Sequence, residues 1–376
     1  MYIRQSSFLF IFMIFVVSCA TNYEDEKSVL MAKNDTNSPV NSFDKNAEQE
    51  AVFKTIEGES TKVETPEITS VSTKKDVKSK KNSESKKNVE VANKGKSNPS
   101  TLVAPETKAV VHNHLNPILP ADYPEEFKAY DEKAKLVWEK FKPVFYQGEE
   151  SILSVTYLGV TAGYITIQSK EVTTLNNKEV FHYFARFKSS DSYRYFYWLD
   201  DRLDSYVDKT TFLPMKYSLI QREKKQDVDD LQLFDFKKMM TYNWYKRVKK
   251  DSDKNEKGET KIPSLGQDSF SALQFVRGLP LKKGDVYDFP VITRGKFWLL
   301  KVEVFGEETI SVNGSDVRAI KIKAETNFPG VLKKSGDIFF WYGANEERRL
   351  LKFQAKIKIG SVNGELVEFK PGVKVQ

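Results

Sequence analysis

Apolar and polar positions divide the chain into three stretches with different periods. After residue 148 the period is two. Residues 152–157, 164–169 and 180–188 each read as a strand, the last with Phe181, Tyr183, Ala185 and Phe187 on one face. Residues 192–199 follow, rich in Tyr, Phe and Trp, and read as another. Aromatic and β-branched enrichment, broken by turns at short intervals, predicts antiparallel sheet. Further strands are expected at 215–223, 230–236, 239–248, 286–292, 296–305, 308–312, 317–326, 336–342, 350–359 and 365–369. Residues 158–163 read as a bend, Asn176-Asn177 as a turn, and Asn313-Gly314 and Asn363-Gly364 as hairpin turns.

Between 116 and 147 the period is helical. Phe127, Tyr130, Ala134, Val137 and Phe141 recur at three- and four-residue steps, which predicts an amphipathic helix. Asp122 is its expected N-cap, Pro124 is tolerated in its first turn, and Pro143 ends it. A second, short helix is expected inside the strand region. Asp268 is its N-cap, Phe270, Leu273 and Val276 form its buried side, and Gly278 and Pro280 stop it.

Residues 21–115 have neither period. Lys, Ser, Thr, Asn, Glu and Val dominate, and Tyr23, Phe43 and Phe53 are the only aromatics. A segment so poor in large apolar groups cannot offset its ordering entropy by burial, so it is expected to be a disordered tether. A flexible chain of this length spans on the order of 50–60 Å. Residues 74–96 carry nine Lys against Asp76, Glu84 and Glu90. Anionic headgroups or cell-wall polymers could meet such a run, although a solvated, self-repelling linker is the commoner role.

The first residues carry an address. Arg4 precedes an unbroken run of ten apolar residues, 8–17. That is the layout of a secretory signal, and it is short for a membrane span of roughly 20 residues. Val16-Val17-Ser18-Cys19 resembles the bacterial lipobox. The resemblance implies cleavage before Cys19 and a covalent lipid on it, since stable anchoring takes more than one acyl chain. Cys19 is the only cysteine, so no disulfide forms within the chain. By resemblance to lipoprotein sorting, Ala20 in place of an aspartate points to the outer membrane, facing the periplasm, with surface exposure left open.

The expected organisation is a signal peptide (1–18), a lipidated cysteine and tether (19–115), a helical lead-in (116–147) and a β-rich domain (148–376). From 116 onward there are 43 Lys and Arg against 37 Asp and Glu. That excess is too slight to argue for nucleic acid as a partner, and an exported address argues against it.

Several stretches within the domain resemble the bacterial domain of unknown function 3108. They are Gly148-Glu149; Tyr157-Leu158-Gly159-Val160-Thr161-Ala162-Gly163; Asp208-Lys209-Thr210-Thr211-Phe212-Leu213-Pro214; Asp268-Ser269-Phe270-Ser271-Ala272-Leu273-Gln274-Phe275-Val276-Arg277; and Trp341 leading to Arg348-Arg349-Leu350 and Ile359-Gly360-Ser361. The match departs at Tyr342-Gly343-Ala344-Asn345, where a polar turn with an aspartate is expected. The resemblance implies a periplasmic, mainly β fold and no assigned reaction. It implies a strongly curved antiparallel sheet, half-barrel-like or as two packed sheets, with one short internal helix besides the N-terminal amphipathic one.

Candidate chemistry is sparse. There is no H-E-x-x-H, G-x-S-x-G or phosphate-binding glycine loop. His112 and His114 form an H-x-H pair with too few companions for a metal. His182 is read as an exposed strand residue. Asp268, Ser269 and Ser271 are better explained as a helix cap than as a nucleophile and its base. Residues 251–258 lack the closing glutamate of a calcium loop and read as a polar hairpin loop. Asp200-Asp201 and Asp229-Asp230 are paired carboxylates near strand ends, and carboxylate catalysis needs two groups that converge in space. No catalytic residue, metal site or cofactor is assigned beyond the lipid on Cys19.

Three functions follow. The first is a binding module with an apolar groove for a lipid, acyl chain or envelope partner, lined by Phe184, Trp198, Phe275, Trp298 and Trp341. The second is a structural protein linking outer membrane to cell wall or an envelope assembly. The third is a glycan-acting hydrolase.

Overall fold

The structure is a computed structural model, and it describes residues 113–375 apart from 251, 328–336 and 358–359. The signal segment, Cys19, His112 and nearly all of the tether lie outside the described residues. Helix α1 (Glu125–Trp138) leads in. The strands follow as β1 (Tyr146–Gln147), β2 (Glu150–Tyr157), β3 (Val160–Ser169), β4 (Thr173–Leu175), β5 (Lys178–Ser189), β6 (Asp200–Asp208), β7 (Pro214–Glu223), β8 (Gln226–Asp235), β9 (Met240–Lys249), β10 (Lys254–Lys261) and β11 (Gln267–Asp268). Helix α2 (Ser271–Arg277) precedes β12 (Val286–Thr293), β13 (Lys296–Val312), β14 (Ser315–Asn327), β15 (Ile338–Gly343), β16 (Leu350–Lys356), β17 (Ser361–Lys370) and β18 (Val373–Lys374).

Among the described residues sixteen strands make one sheet, and β1 and β18 make a separate pair. The order runs from β10 back through β5, β3 and β2, then crosses to β17 and runs back to β11, with β4 beside β5. Every pair is antiparallel except β11 on β12. Each meander is local, and within the large sheet the β2–β17 ladder joins the two meanders, as β1 with β18 joins the same two ends of the described chain. The sheet is mainly β and strongly curved, as expected, and its ladder does not close into a barrel. Side chains bridge the gap instead. The Arg294 backbone N–H donates to Gln232 Oε1 on β8 at 2.8 Å, and Gln267 donates to the Phe212 carbonyl at 2.9 Å.

The inward faces and both helices form one continuous apolar core. At its centre Phe275 of α2 stacks on Phe141 with centroids 4.2 Å apart, beside Trp138, Phe212 and Phe289. The stripe expected for α1 is present as far as Val137, but the helix ends at Trp138, so Phe141 lies beyond it and Pro143 is not what stops it. Ala134 and Val137 are buried, while Phe127 and Tyr130 meet the edge of Phe297 on β13. Pro124, not Asp122, flanks the helix start, because Asp122 pairs with Lys261 at 2.7 Å.

Turn chemistry held at Asn176-Asn177 and Asn313-Gly314, where both residues take the left-handed conformation of a two-residue hairpin. Four local expectations are corrected. The bend at 158–163 is only Leu158-Gly159, and β3 begins at Val160. Residues 192–199 are no strand but a short 3-10 turn (Tyr193–Tyr195) within a loop, and the strand lies at Asp200–Asp208. Asp201, Leu203, Ser205 and Val207 alternate inward there, and the acids masked the pattern. The polar run after 253 is not loop but the edge strand β10, paired in register with β9. Its charges suit an edge that must resist further pairing.

Asn363-Gly364 is the fourth correction. Both residues lie within β17, where Gly364 faces Phe353 across the ladder. A Cβ on Gly364 would stand 1.9 Å from the Phe353 ring, which is itself fully buried. Glycine there makes room for an aromatic ring, not a turn. Gly364→Ala should therefore destabilise the domain by about 1–3 kcal/mol, the usual range for overpacking. Urea unfolding checks this, and a variant as stable as the parent would show that the ring can step aside.

Candidate functional site

Residues from separate stretches of the chain meet around α2. The Arg277 guanidinium donates both terminal nitrogens to Glu149, each at 2.7 Å, with both side chains almost fully buried. Its Nε donates to the Glu347 carbonyl at 2.7 Å. Asp268 is completely buried. Its Oδ1 accepts from the Phe270 and Ser271 backbone N–H groups at 2.7 and 2.8 Å, and its Oδ2 from the Ser205 hydroxyl at 2.6 Å. Burial raises the Asp268 pKa while these donors oppose the rise. Asp208 binds the Thr210 and Thr211 N–H groups, and Arg348 holds the Leu279 and Pro280 carbonyls. Every one of these contacts fixes a turn or a helix end. Phe270, not Asp268, occupies the N-cap position of α2, and Asp268 instead holds the turn before it through the Phe270 and Ser271 N–H groups; Leu273, expected on the buried side, is only partly buried.

A second cluster lies on the inner face of β6 to β8. Alternation sends the first acid of each Asp-Asp pair outward and the second inward. Asp200 meets Arg186 at 2.6 and 2.5 Å, and Asp229 meets Arg222 at 2.8 Å. Arg186 holds the Asp200 carboxyl below its ordinary range. Asp201 and Asp230 are buried. Asp230 lies 3.4 Å from Arg294, and burial pushes it up to about 6 against that attraction.

Asp201 converges with Glu223. Its Oδ1 accepts from the Arg222 N–H at 2.9 Å, and its Oδ2 has no partner in hydrogen-bonding geometry, with the Gln221 amide nearby. Glu223 accepts from the Tyr197 hydroxyl at 2.5 Å, from Gln221 at 2.9 Å and from Gln226 at 3.4 Å. Burial first, and the neighbouring Glu223 charge second, push Asp201 up to about 8, and burial raises Glu223 too. Two carboxyls in one dry site disfavour ionisation of both at once. Such a pair could serve as acid and base if substrate reached it. Here the loop carrying Tyr197 covers the pair, and both carboxyls are buried. The alternation of 201–207 was the signal that would have found Asp201. Its convergence with Glu223 has no signal in the sequence.

The five aromatics expected to line a groove are dispersed. Phe275 is at the core centre. Trp298 is half-buried on β13 opposite Val291. Phe184 lies under the Lys170 ammonium, on the face opposite Tyr183 and Ala185. Trp341 alternates with Phe340 and Tyr342, donates to Glu308 at 2.6 Å and carries Lys321 over its ring. Trp198 is exposed in the loop after β5. His182 is not a free surface histidine. It meets Asp204 at 2.6 Å and stacks on Tyr206 at 4.2 Å. His114 packs its ring edge on Trp138. An open surface cleft of about 420 Å³ lies beside 118–122, lined also by Lys237, Lys238, Met240 and Lys261.

No curated protein matches the sequence. Similar solved structures include a β-barrel-like protein of domain of unknown function DUF1849 from Brucella abortus, at 12% identity and TM-score 0.40, covering 61% of this chain and 99% of that one. A candidate lipoprotein from Parabacteroides distasonis is similar at 12% identity and TM-score 0.29, covering 61% and 99%. A candidate exported protein with a YmcC-like fold from Bacteroides fragilis is similar at 10% identity and TM-score 0.29, covering 61% and 98%. Asp208, which holds its own turn, and Asp268, Arg277 and Arg348, which hold the segments flanking α2, all fall within residues 153–367. Those residues, more than half of the chain, match the model of a protein family of unknown function, DUF3108, and the chain belongs to that family.

Proposed function

We propose that the chain is an exported lipoprotein of the cell envelope, held to the outer membrane by a lipid on Cys19, and that its β-rich domain is a binding module and not an enzyme. One observation carries the second half of this reading. The inward faces of the sheet share a continuous apolar core, and the converging carboxyls Asp201 and Glu223 are buried beneath a loop. Recognition then falls to the outer surface and the loop ends. An envelope surface or partner is favoured over an apolar ligand held inside, because Phe275 serves the core.

The anchor rests on the lipobox-like Val16-Val17-Ser18-Cys19. Cells expressing the chain and fed labelled palmitate should incorporate label into it, and Cys19→Ala should abolish incorporation and release the protein from the membrane fraction. Label retained by the variant would refute the anchor. Native mass spectrometry of the purified chain addresses the rest. The expected mass is that of the protein with its covalent lipid and nothing more, and a stoichiometric lipid bound without a covalent bond would turn the reading to a ligand carrier.

A further inference from the structure

We infer that the loop between β5 and β6, with the β2–β3 turn beside it, is a docking tip for an anionic phospholipid bilayer. The loop exposes Tyr195 at 83%, Phe196 at 77% and Trp198 at 43%, and the adjoining turn exposes Leu158 at 67% and Val160 at 54%. Scattered exposed apolar residues are ordinary, but five on one end of a sheet form a patch that needs an occupant.

The tip is held out, not collapsed. Ser190 hydroxyl donates to the Thr161 carbonyl at 2.8 Å, which ties the loop to the start of β3. Ser189 hydroxyl donates to the Tyr197 carbonyl and accepts from the Leu199 N–H, both at 2.9 Å. Tyr197 is fastened inward on Glu223. Lys224 donates its backbone N–H to the Trp198 carbonyl and its ammonium to the Phe196 carbonyl, both at 2.9 Å. Six hydrogen bonds therefore fix the loop around three side chains that point to solvent. A loop ordered beforehand loses little entropy on docking.

Charge and shape select the occupant. Lys188, Arg194, Lys224 and Lys225 flank the tip, against Asp191, Asp200 and Asp227; Arg194 meets Asp191 at 4.0 Å, and Asp200, opposite Lys188 in the ladder, is held by Arg186. Tyr and Trp favour the headgroup level of a bilayer, Phe and Leu its apolar margin, and basic residues its anionic surface. The tip is a projection, and a bilayer needs no matching cavity to receive it. The position also fits. β8 begins at Gln226 beside the tip and ends at Asp235, next to the Lys237–Lys238 wall of the cleft where residues 118–122 lie. Ten residues of strand separate the two ends by roughly 30 Å. The tip thus lies at the opposite end of β8 from residues 118–122. The inference does not rest on Cys19.

The test uses the full chain with Cys19→Ser and Phe196→Cys, carrying a polarity-sensitive fluorophore on the new thiol. Its partner sample carries the fluorophore at Val373→Cys, which is also exposed. Each is titrated with mixed phosphatidylcholine–phosphatidylglycerol vesicles and with phosphatidylcholine vesicles alone. The label at 196 should shift to the blue on the mixed vesicles, the label at 373 should not, and apparent affinity should fall about tenfold without the anionic lipid. Adding Lys188→Glu and Arg194→Glu should weaken binding by a similar factor. A label at 196 that stays in water on bound vesicles overturns the inference. So does a shift that follows protein concentration without lipid, which would mark a contact between copies, or one that needs a protein partner. Failure of palmitate labelling at Cys19 would leave this result untouched.

Discussion

Arg277→Met is expected to cost the folded domain about 3–5 kcal/mol, and Glu149→Gln a comparable amount, because each strands a charged or polar partner in the interior. The pair is bidentate, at 2.7 Å on both arms, and the side chains are almost wholly removed from water. Removing one partner leaves the other's desolvation uncompensated. Removing both does not, so the double variant Glu149→Leu, Arg277→Met should recover most of the loss. Arg277→Lys should not restore the parent, since an ammonium cannot fork between two oxygens while also reaching the Glu347 carbonyl. Urea unfolding followed by tryptophan fluorescence reads all four, with Trp138 beside Phe275 as the local reporter. If each single variant costs under about 1 kcal/mol, the pair does not secure α2.

Asp201→Asn is expected to stabilise the domain at pH 8 and above, by about 2–4 kcal/mol, and to lose that advantage as the pH falls toward 4. The sign comes from linkage. Asp201 titrates near 3.8 when unfolded and at about 8 when folded, so between those values the folded state holds a proton that the unfolded chain has released. Stability is then full below the unfolded pKa and declines as pH rises through the window, levelling off above about 8. A shift of this size has an upper bound of roughly 1.4 kcal/mol per pH unit, reduced by relaxation of the site. Glu223, also raised, acts in the same direction. Asp200, held low by Arg186, acts in the opposite one, since its contribution is lost on acidification. Asparagine keeps the acceptor for the Arg222 N–H and discards the charge. Denaturation curves from pH 5 to 9 would decide it, and parallel profiles for parent and variant would mean that Asp201 ionises normally.

Both predictions concern groups whose residue types were legible and whose surroundings were not. Alternation named most strands, since a half-buried strand must place apolar groups two apart. It failed at 192–199, where aromatic side chains mimic strand composition while serving an exposed loop. It failed again at β6, where Asp201 and Ser205 occupy inward positions that composition would send to solvent. Asn363-Gly364 misled because a glycine under Phe353 looks, along the chain, like a glycine in a turn. The candidate groove fared differently. Aromatic residues are recognisable, but which face of a curved sheet each takes depends on register with strands far away in sequence.

The sequence by itself determined the mainly β class, the two helices and the family. Each is written in local periods or in short contiguous motifs. Only the tertiary structure decided that the inward faces share one apolar core, that Glu149 finds Arg277, that Asp201 finds Glu223, and that Tyr195, Phe196 and Trp198 stand in solvent. Those are meetings between residues 22 to 128 positions apart or exposures set by strand register. No local rule carries them, because the energy of a buried charge or a bare aromatic depends on what the rest of the chain brings to it.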